Sequence, residues 1–134
     1  MRARRESEKI GPRPTKKQLL YIAGLFDGEG CVSYNQSPYV SITSCYPRHL
    51  QMIASVMDMG RVRRMRAKKG PNRSCYRYEL SGRNAIDFLL LIGPHLIEKS
   101  YQASLLIELD QYPPKSLTKK ALIEELKLVK LVNY

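Results

Sequence analysis

Apolar residues recur along this chain in two rhythms, one of about 3.6 residues and one of two. Leu19, Tyr21, Ile22, Leu25 and Phe26 follow the first and predict a helix over residues 17–27. Residues 31–36 and 39–44 alternate around Ser37-Pro38, as the arms of a hairpin do. Helical spacing returns over 48–57, with Leu50, Ile53, Ala54 and Met57 on one face and Gly60 closing the element. A second hairpin is expected from 61–68 and 75–80 around Lys69-Gly70-Pro71-Asn72. Residues 85–92 and 96–109 predict helices parted by Gly93-Pro94, and Pro113-Pro114 ends that pair. Residues 117–131 form a last amphipathic helix. The order αββαββα predicts an α+β domain with helices on one face of an antiparallel sheet. Its two αββ halves repeat in pattern only.

Period two also assigns the faces of the sheet. Val32, Tyr34, Val40, Ile42, Val62, Tyr78 and Leu80 are expected to face the helices. Cys31, Ser33, Asn35, Tyr39, Ser41, Thr43, Arg61, Arg63, Arg77 and Glu79 are expected to point away. A solvated face would also be polar, but rarely so poor in acids, since Glu79 is the only one. The run Arg61, Arg63, Arg64, Arg66, Lys68, Lys69 and Arg73 has no acidic residue within it. On a hairpin of a basic chain, that composition suits base edges in a major groove and the phosphates beside them.

Charge sharpens the picture. The 134 residues suffice for one domain, and 23 Lys and Arg against 12 Asp and Glu give a formal net charge of +11. A polyanion, nucleic acid above all, is the expected partner. Residues 1–16 read as a flexible basic tail, opening on Met1-Arg2-Ala3-Arg4-Arg5 and broken by Gly11, Pro12 and Pro14, ahead of a domain over 17–134. No apolar run approaches the ~20 residues of a membrane span, and no apolar segment follows the basic start as in a secretory signal. Cys31, Cys45 and Cys75 fit neither a disulfide framework nor zinc-ligand spacing, which points to a reducing intracellular compartment.

The first helix holds the chemistry. Gly24 and Gly28 lie four apart on one face. Each costs about 1 kcal/mol against alanine, and the usual reason to keep such residues is close approach of another backbone. Asp27 and Glu29 stand near the helix C-terminus, where the macrodipole disfavours negative charge by roughly 0.3–1 kcal/mol. Acids placed there beside a glycine seam point to a cation site. Spacing alone leaves a plain C-cap with two solvated carboxylates as the alternative.

The stretch Ile22-Ala23-Gly24-Leu25-Phe26-Asp27-Gly28-Glu29-Gly30 resembles the nonapeptide of the LAGLIDADG homing endonucleases, matching at Ala23, Gly24, Leu25, Asp27 and Gly30. Residues 78–109, with Ser81-Gly82-Arg83, Pro94-His95-Leu96, Lys99 and Gln102-Ala103, are similar to the second half of the same domain. The resemblance covers residues 17–109, and the nonapeptide occurs once. It implies a sheet that forms a DNA-binding saddle and a homodimer joined through the glycine helix, with Ile22, Gly24, Leu25 and Gly28 at the interface. Two copies of Glu29 would then converge, and like carboxylates so close need a cation between them.

From the resemblance, Glu29 and the carbonyl of Gly28 bind Mg²⁺, with Mn²⁺ as a substitute. Glu29 stands where aspartate is commoner. Lys99 takes the place of a basic residue near the scissile phosphate, Arg48 of a further active-site cation, and Ser44 of a polar residue that holds water. Asp27 is expected to support the helix end rather than bind metal, and His49 and His95 are weak candidates. The implied function is a double-strand cut in a long, nearly palindromic DNA site, across the minor groove with short 3′ overhangs. The chain length suggests an intron-borne gene in a bacterial or phage cytoplasm or in an organelle, chloroplast or mitochondrion. A maturase of the same fold that binds intron RNA without cutting DNA is the alternative. A basic ribosomal component would explain the charge but not Gly24, Gly28 and Glu29.

Overall fold

Thr15 fixes where the first helix begins. Its hydroxyl accepts the Gln18 N–H at 3.1 Å, and its own N–H donates to the Gln18 side-chain oxygen at 2.9 Å. The computed structural model describes residues 13–65 and 75–131. Helix α1 (Lys16–Glu29) leads into β1 (Gly30–Tyr34), β2 (Pro38–Ser44) and α2 (Pro47–Met57). The pattern repeats as β3 (Arg61–Met65), β4 (Cys75–Ser81) and α3 (Arg83–Ile92). A 3₁₀ turn over Gly93–His95 then leads to α4 (Ser100–Leu109) and α5 (Leu117–Leu131). Among the described residues the strands form one antiparallel sheet in the order β1-β2-β4-β3. This is the α+β class that the alternation predicts.

The expected elements are all present; α1 runs on to Glu29, β1 stops at Tyr34, two residues early, α3 starts two residues early at Arg83, and three further differences have a physical cause. Lys16, assigned above to the tail, already belongs to α1 because the Thr15 cap starts the helix one residue sooner. Gly60 does not cap α2. Asp58 does, in the left-handed region at φ 56°, donating its N–H to the Ala54 carbonyl, while Gly60 at φ +82° makes the turn into β3. Helix α4 starts at Ser100 rather than at residue 96, since Leu96 is extended and the N–H groups of Ile97 and Lys99 bond to the Asp27 side chain instead of to carbonyls of their own segment. Residues 1–12 of the expected tail, and Arg66, Lys68, Lys69 and Arg73 of the basic run, lie outside the described residues.

The inward face of the sheet follows the alternation. Val32, Val40, Ile42, Tyr78 and Leu80 are buried, and Tyr34 and Val62 are half-buried because they sit on the edge strands β1 and β3. Three rings tie the layers together. Phe88 of α3 meets Phe26 of α1 edge-on at 5.7 Å and Tyr78 of β4 at 5.9 Å. The Tyr78 hydroxyl is not stranded in this core, since it donates to the Met59 carbonyl at 2.8 Å.

Phe26 also dictates how α1 becomes β1. A Cβ on Gly30 would come within 2.5 Å of the Phe26 carbonyl oxygen and 2.6 Å of its ring. At φ −86° the backbone of Gly30 suits any residue, so the demand for glycine is purely steric. Gly30→Ala should therefore destabilise the fold by about 1–3 kcal/mol, as overpacking does, read as a lower urea midpoint. A variant with the wild-type midpoint would show that Phe26 can move aside freely.

Candidate active site and nucleic-acid interface

Helix α1 ends on three consecutive residues with separate fates. Asp27 turns inward and accepts the N–H of Ile97 at 2.8 Å and of Lys99 at 2.9 Å. Lys99 answers by donating its ammonium to the main-chain carbonyl of Asp27 at 2.7 Å. A cation thus meets one of the carbonyls that the helix end leaves without a partner, where the dipole favours positive charge. Gly28 and Glu29 stay exposed, and Glu29 has no hydrogen bond or ion pair among the described residues. Asp27 is therefore structural, as expected, although it clamps the approach to α4 rather than its own helix.

The clamp brings Lys99 beside the motif. Gly28, Glu29 and Lys99 line one open cavity of about 310 Å³, together with Gly30, Cys31, Gln102 and Lys130. Carboxylate and carbonyl oxygens are the donors that Mg²⁺ takes, so Glu29 and Gly28 fit such an ion. The ammonium groups suit a phosphate. Gln102 entered the sequence reading only as part of the resemblance and Lys130 not at all, since neither has a spacing that marks it as a site residue. Ser44 and Arg48 do not line this cavity. Ser44 closes β2 and accepts the Tyr46 N–H at 3.0 Å, and Arg48 is exposed in the first turn of α2. His49 pairs at 3.0 Å with the Tyr21 hydroxyl, which ties α2 to α1.

The glycines of α1 face outward. A Cβ at Gly24 or Gly28 would meet nothing within 4 Å, so neither is packed against its own chain. Leu20 (49% exposed) and Tyr21 (45%) flank them, with Leu25 half-buried. Ile22 departs from expectation. It is 0% exposed and belongs to the core, because it points about 200° round the helix from Gly24. It cannot be an interface residue in this fold.

On the outer face of the sheet, Glu79 is already committed. It accepts the Tyr39 hydroxyl at 2.9 Å, Arg63 Nε at 2.9 Å and Arg61 Nε at 3.2 Å. It was expected as a DNA contact and instead holds two of the arginines of the same face. Arg63 and Arg77 stand opposite one another, with Thr43 next in the row, and like charges so placed repel. The Arg77 Nε is buried without a partner among the described residues. Ser41 is only 5% exposed between its neighbours, so the longer side chains would meet a ligand first. Ser33 is half-buried on β1, and Asn35 lies in the turn after it, donating its N–H to Ser37. Arg66 and Lys68 lie outside the described residues.

A profile of the LAGLIDADG-like domain matches residues 16–93, more than half of the chain. The chain belongs to this family. Among solved structures, the homing endonuclease I-CvuI in complex with its target and calcium matches at 17% identity and a TM-score of 0.68, over 84% of this chain and 81% of that one. The archaeal intron-encoded homing endonuclease I-Vdi141I, complexed with DNA, matches at 21% identity and a TM-score of 0.66, over 84% and 83%. The LAGLIDADG homing endonuclease I-LtrWI, bound to target DNA, matches at 16% and 0.53, with 89% of this chain covering 45% of that one. At these identities the likeness is one of fold. No curated protein sequence matches. Among the described residues no helix is long and apolar enough to cross a membrane.

The arrangement around Glu79 has a pH signature. Burial alone would raise its carboxyl, but the hydrogen bonds from Tyr39 and Arg61 and the charge of Arg63 outweigh that and hold it below the ordinary value. Tyr39 moves the other way, raised by burial and by its bond to Glu79. A folded value below the unfolded one means that the stabilisation is complete above about pH 4.3. It is lost as the pH falls through the folded value. Glu79→Gln should flatten this part of the acid-induced fall in urea midpoint. An unchanged acid slope would mean that the arginines do not hold this carboxylate.

Proposed function

We propose that this LAGLIDADG protein is a site-specific DNA endonuclease. It works as a homodimer on a long, nearly palindromic duplex and mobilises an intron-borne gene. One observation carries the reading: Glu29, Gly28 and Lys99 share a cavity at the end of a helix whose glycine face is open to a second chain. The basic outer face of the sheet supports duplex DNA as the substrate, with Arg61, Arg63 and Arg77 toward it. Tyr39, Thr43 and Ser33 lie along the same face, and Asn35 stands in the turn at its end. That the relatives above are DNA complexes of homing endonucleases agrees with this choice of ligand.

Glu29 and the Gly28 carbonyl would hold Mg²⁺ or Mn²⁺, which when bound polarises a phosphate and lowers the pKa of water. The chain's own groups do the rest. Lys99, fixed by its bond to Asp27, presents positive charge to the scissile phosphate and stabilises the charge that builds there. Arg48 and Ser44 stand outside the cavity, so any part they take depends on the DNA or the second chain.

Glu29→Gln removes the carboxylate while keeping its size. DNA affinity and folding should survive, and cleavage of a selected target in Mg²⁺ should fall by at least about a hundredfold. Lys99→Ala should leave metal binding intact and raise the barrier by about 3 kcal/mol. Single-turnover cleavage beside Mn²⁺ binding separates the two variants. A Glu29→Gln protein that cuts at the wild-type rate would place the active site elsewhere. A wild type that binds RNA and cuts no duplex would favour the maturase.

A further inference from the structure

Helix α5 lies beyond the stretch that the LAGLIDADG-like domain matches, and its lysines look alike in sequence. The structure separates them. Lys119, nearly buried, donates to the Tyr112 carbonyl at 3.2 Å and stands 5.1 Å over the Tyr34 ring, so its ammonium serves the fold. Lys127 pairs with Glu124 at 3.6 Å in the solvent. Lys130 does neither. In the last turn of α5 it is half-buried and reaches over β1, where its Nζ lies 3.7 Å from the Cys31 sulfur. A thiol is a weak acceptor, and an ammonium has three donors to place. No acid on α5 meets it, since Glu124 faces Lys127 and Glu125 accepts from Tyr101.

The direction of that ammonium gives it a purpose. Lys130 borders a cavity at Ser33 and Tyr34 and also the one lined by Gly28, Glu29 and Lys99, and its Nζ sits at Cys31, which belongs to the lining of the second. Two ammonium groups there face one carboxylate, which leaves the cavity positive by one charge. Like charges in one cavity disfavour each other unless an anion lies between them. Lys99 is committed to the Asp27 carbonyl by one of its donors, whereas those of Lys130 meet, among the described residues, nothing stronger than sulfur. We infer that Lys130 is a second catalytic cation of this site, donating to a non-bridging oxygen of the phosphodiester at the point of cleavage. The assignment rests on the endonuclease reading above and adds a residue that the motif does not contain.

Lys130→Gln and Lys130→Arg test it on a duplex selected from a randomised library. Binding is measured in Ca²⁺ over a range of salt, and single-turnover cleavage in Mg²⁺ at saturating protein. For Lys130→Gln the slope of log K against log salt should become shallower by about 0.9 per protomer, one phosphate contact. Its cleavage rate should fall on the order of a hundredfold, with the melting temperature unchanged. Lys130→Arg should keep the wild-type slope and recover most of the rate. An unchanged slope for Lys130→Gln overturns the phosphate contact, and a shallower slope with wild-type cleavage overturns the catalytic role. A rate no better for Lys130→Arg than for Lys130→Gln overturns the role of its charge. In each case a cutting wild type leaves the endonuclease reading standing. A wild type that binds the selected duplex and never cuts it defeats that reading and the catalytic assignment together.

Discussion

Asp27 and Lys99 are an acid and a base that bind each other's backbones. The carboxylate takes the N–H groups of Ile97 and Lys99, and the ammonium takes the Asp27 carbonyl. This exchange closes the end of α1 against the start of α4, elements some 70 residues apart in sequence. It satisfies main-chain groups at a helix terminus, where stranded ones are costly. It also uses up the charge of Asp27, leaving Glu29 as the carboxylate that faces the cavity. The position of Lys99 beside Glu29, and with it the chemistry proposed for the cavity, depends on this clamp.

A second constraint acts one turn away. Phe26 fills the core against Phe88 and forces glycine at residue 30, so the chain leaves α1 directly into β1. On the opposite side of the helix nothing packs on Gly24 or Gly28. A helix buried through Ile22, Ala23 and Phe26, yet bare along its glycines, has one packed face and one open face. The same division runs through the sheet, whose inner face is apolar and whose outer face gathers Arg61 and Arg63 on Glu79.

Much of this was legible in the sequence because it is local. Strand alternation and helical spacing are properties of neighbouring residues, and they located every element and the buried face of the sheet. The nonapeptide singled out Glu29, which the fold leaves exposed on the cavity. What escaped depends on long-range contacts. Residues 96–99 have helical composition, yet the N–H groups of Ile97 and Lys99 go to the Asp27 carboxylate, so the helix begins at Ser100. Glu79 could be placed on the outer face, but not its commitment to three partners from β2 and β3. Ile22 was readable from the helical period and misassigned with its motif. Lys130 enters the cavity only because α5 folds back over β1, which no spacing within α5 reveals.

In the proposed enzyme the bare face of α1 is where a second copy of the chain completes the site. Sedimentation equilibrium of the wild type and of Gly24→Leu, each beside its cleavage of the same target, tests this directly. The wild type should sediment at twice the 15.4 kDa chain mass and cut. Gly24→Leu, folded but with its helices held apart, should sediment as a single chain and fail to cut. A Gly24→Leu protein that remains a wild-type dimer and cuts normally, or a wild type that cuts as a single chain, would contradict the account.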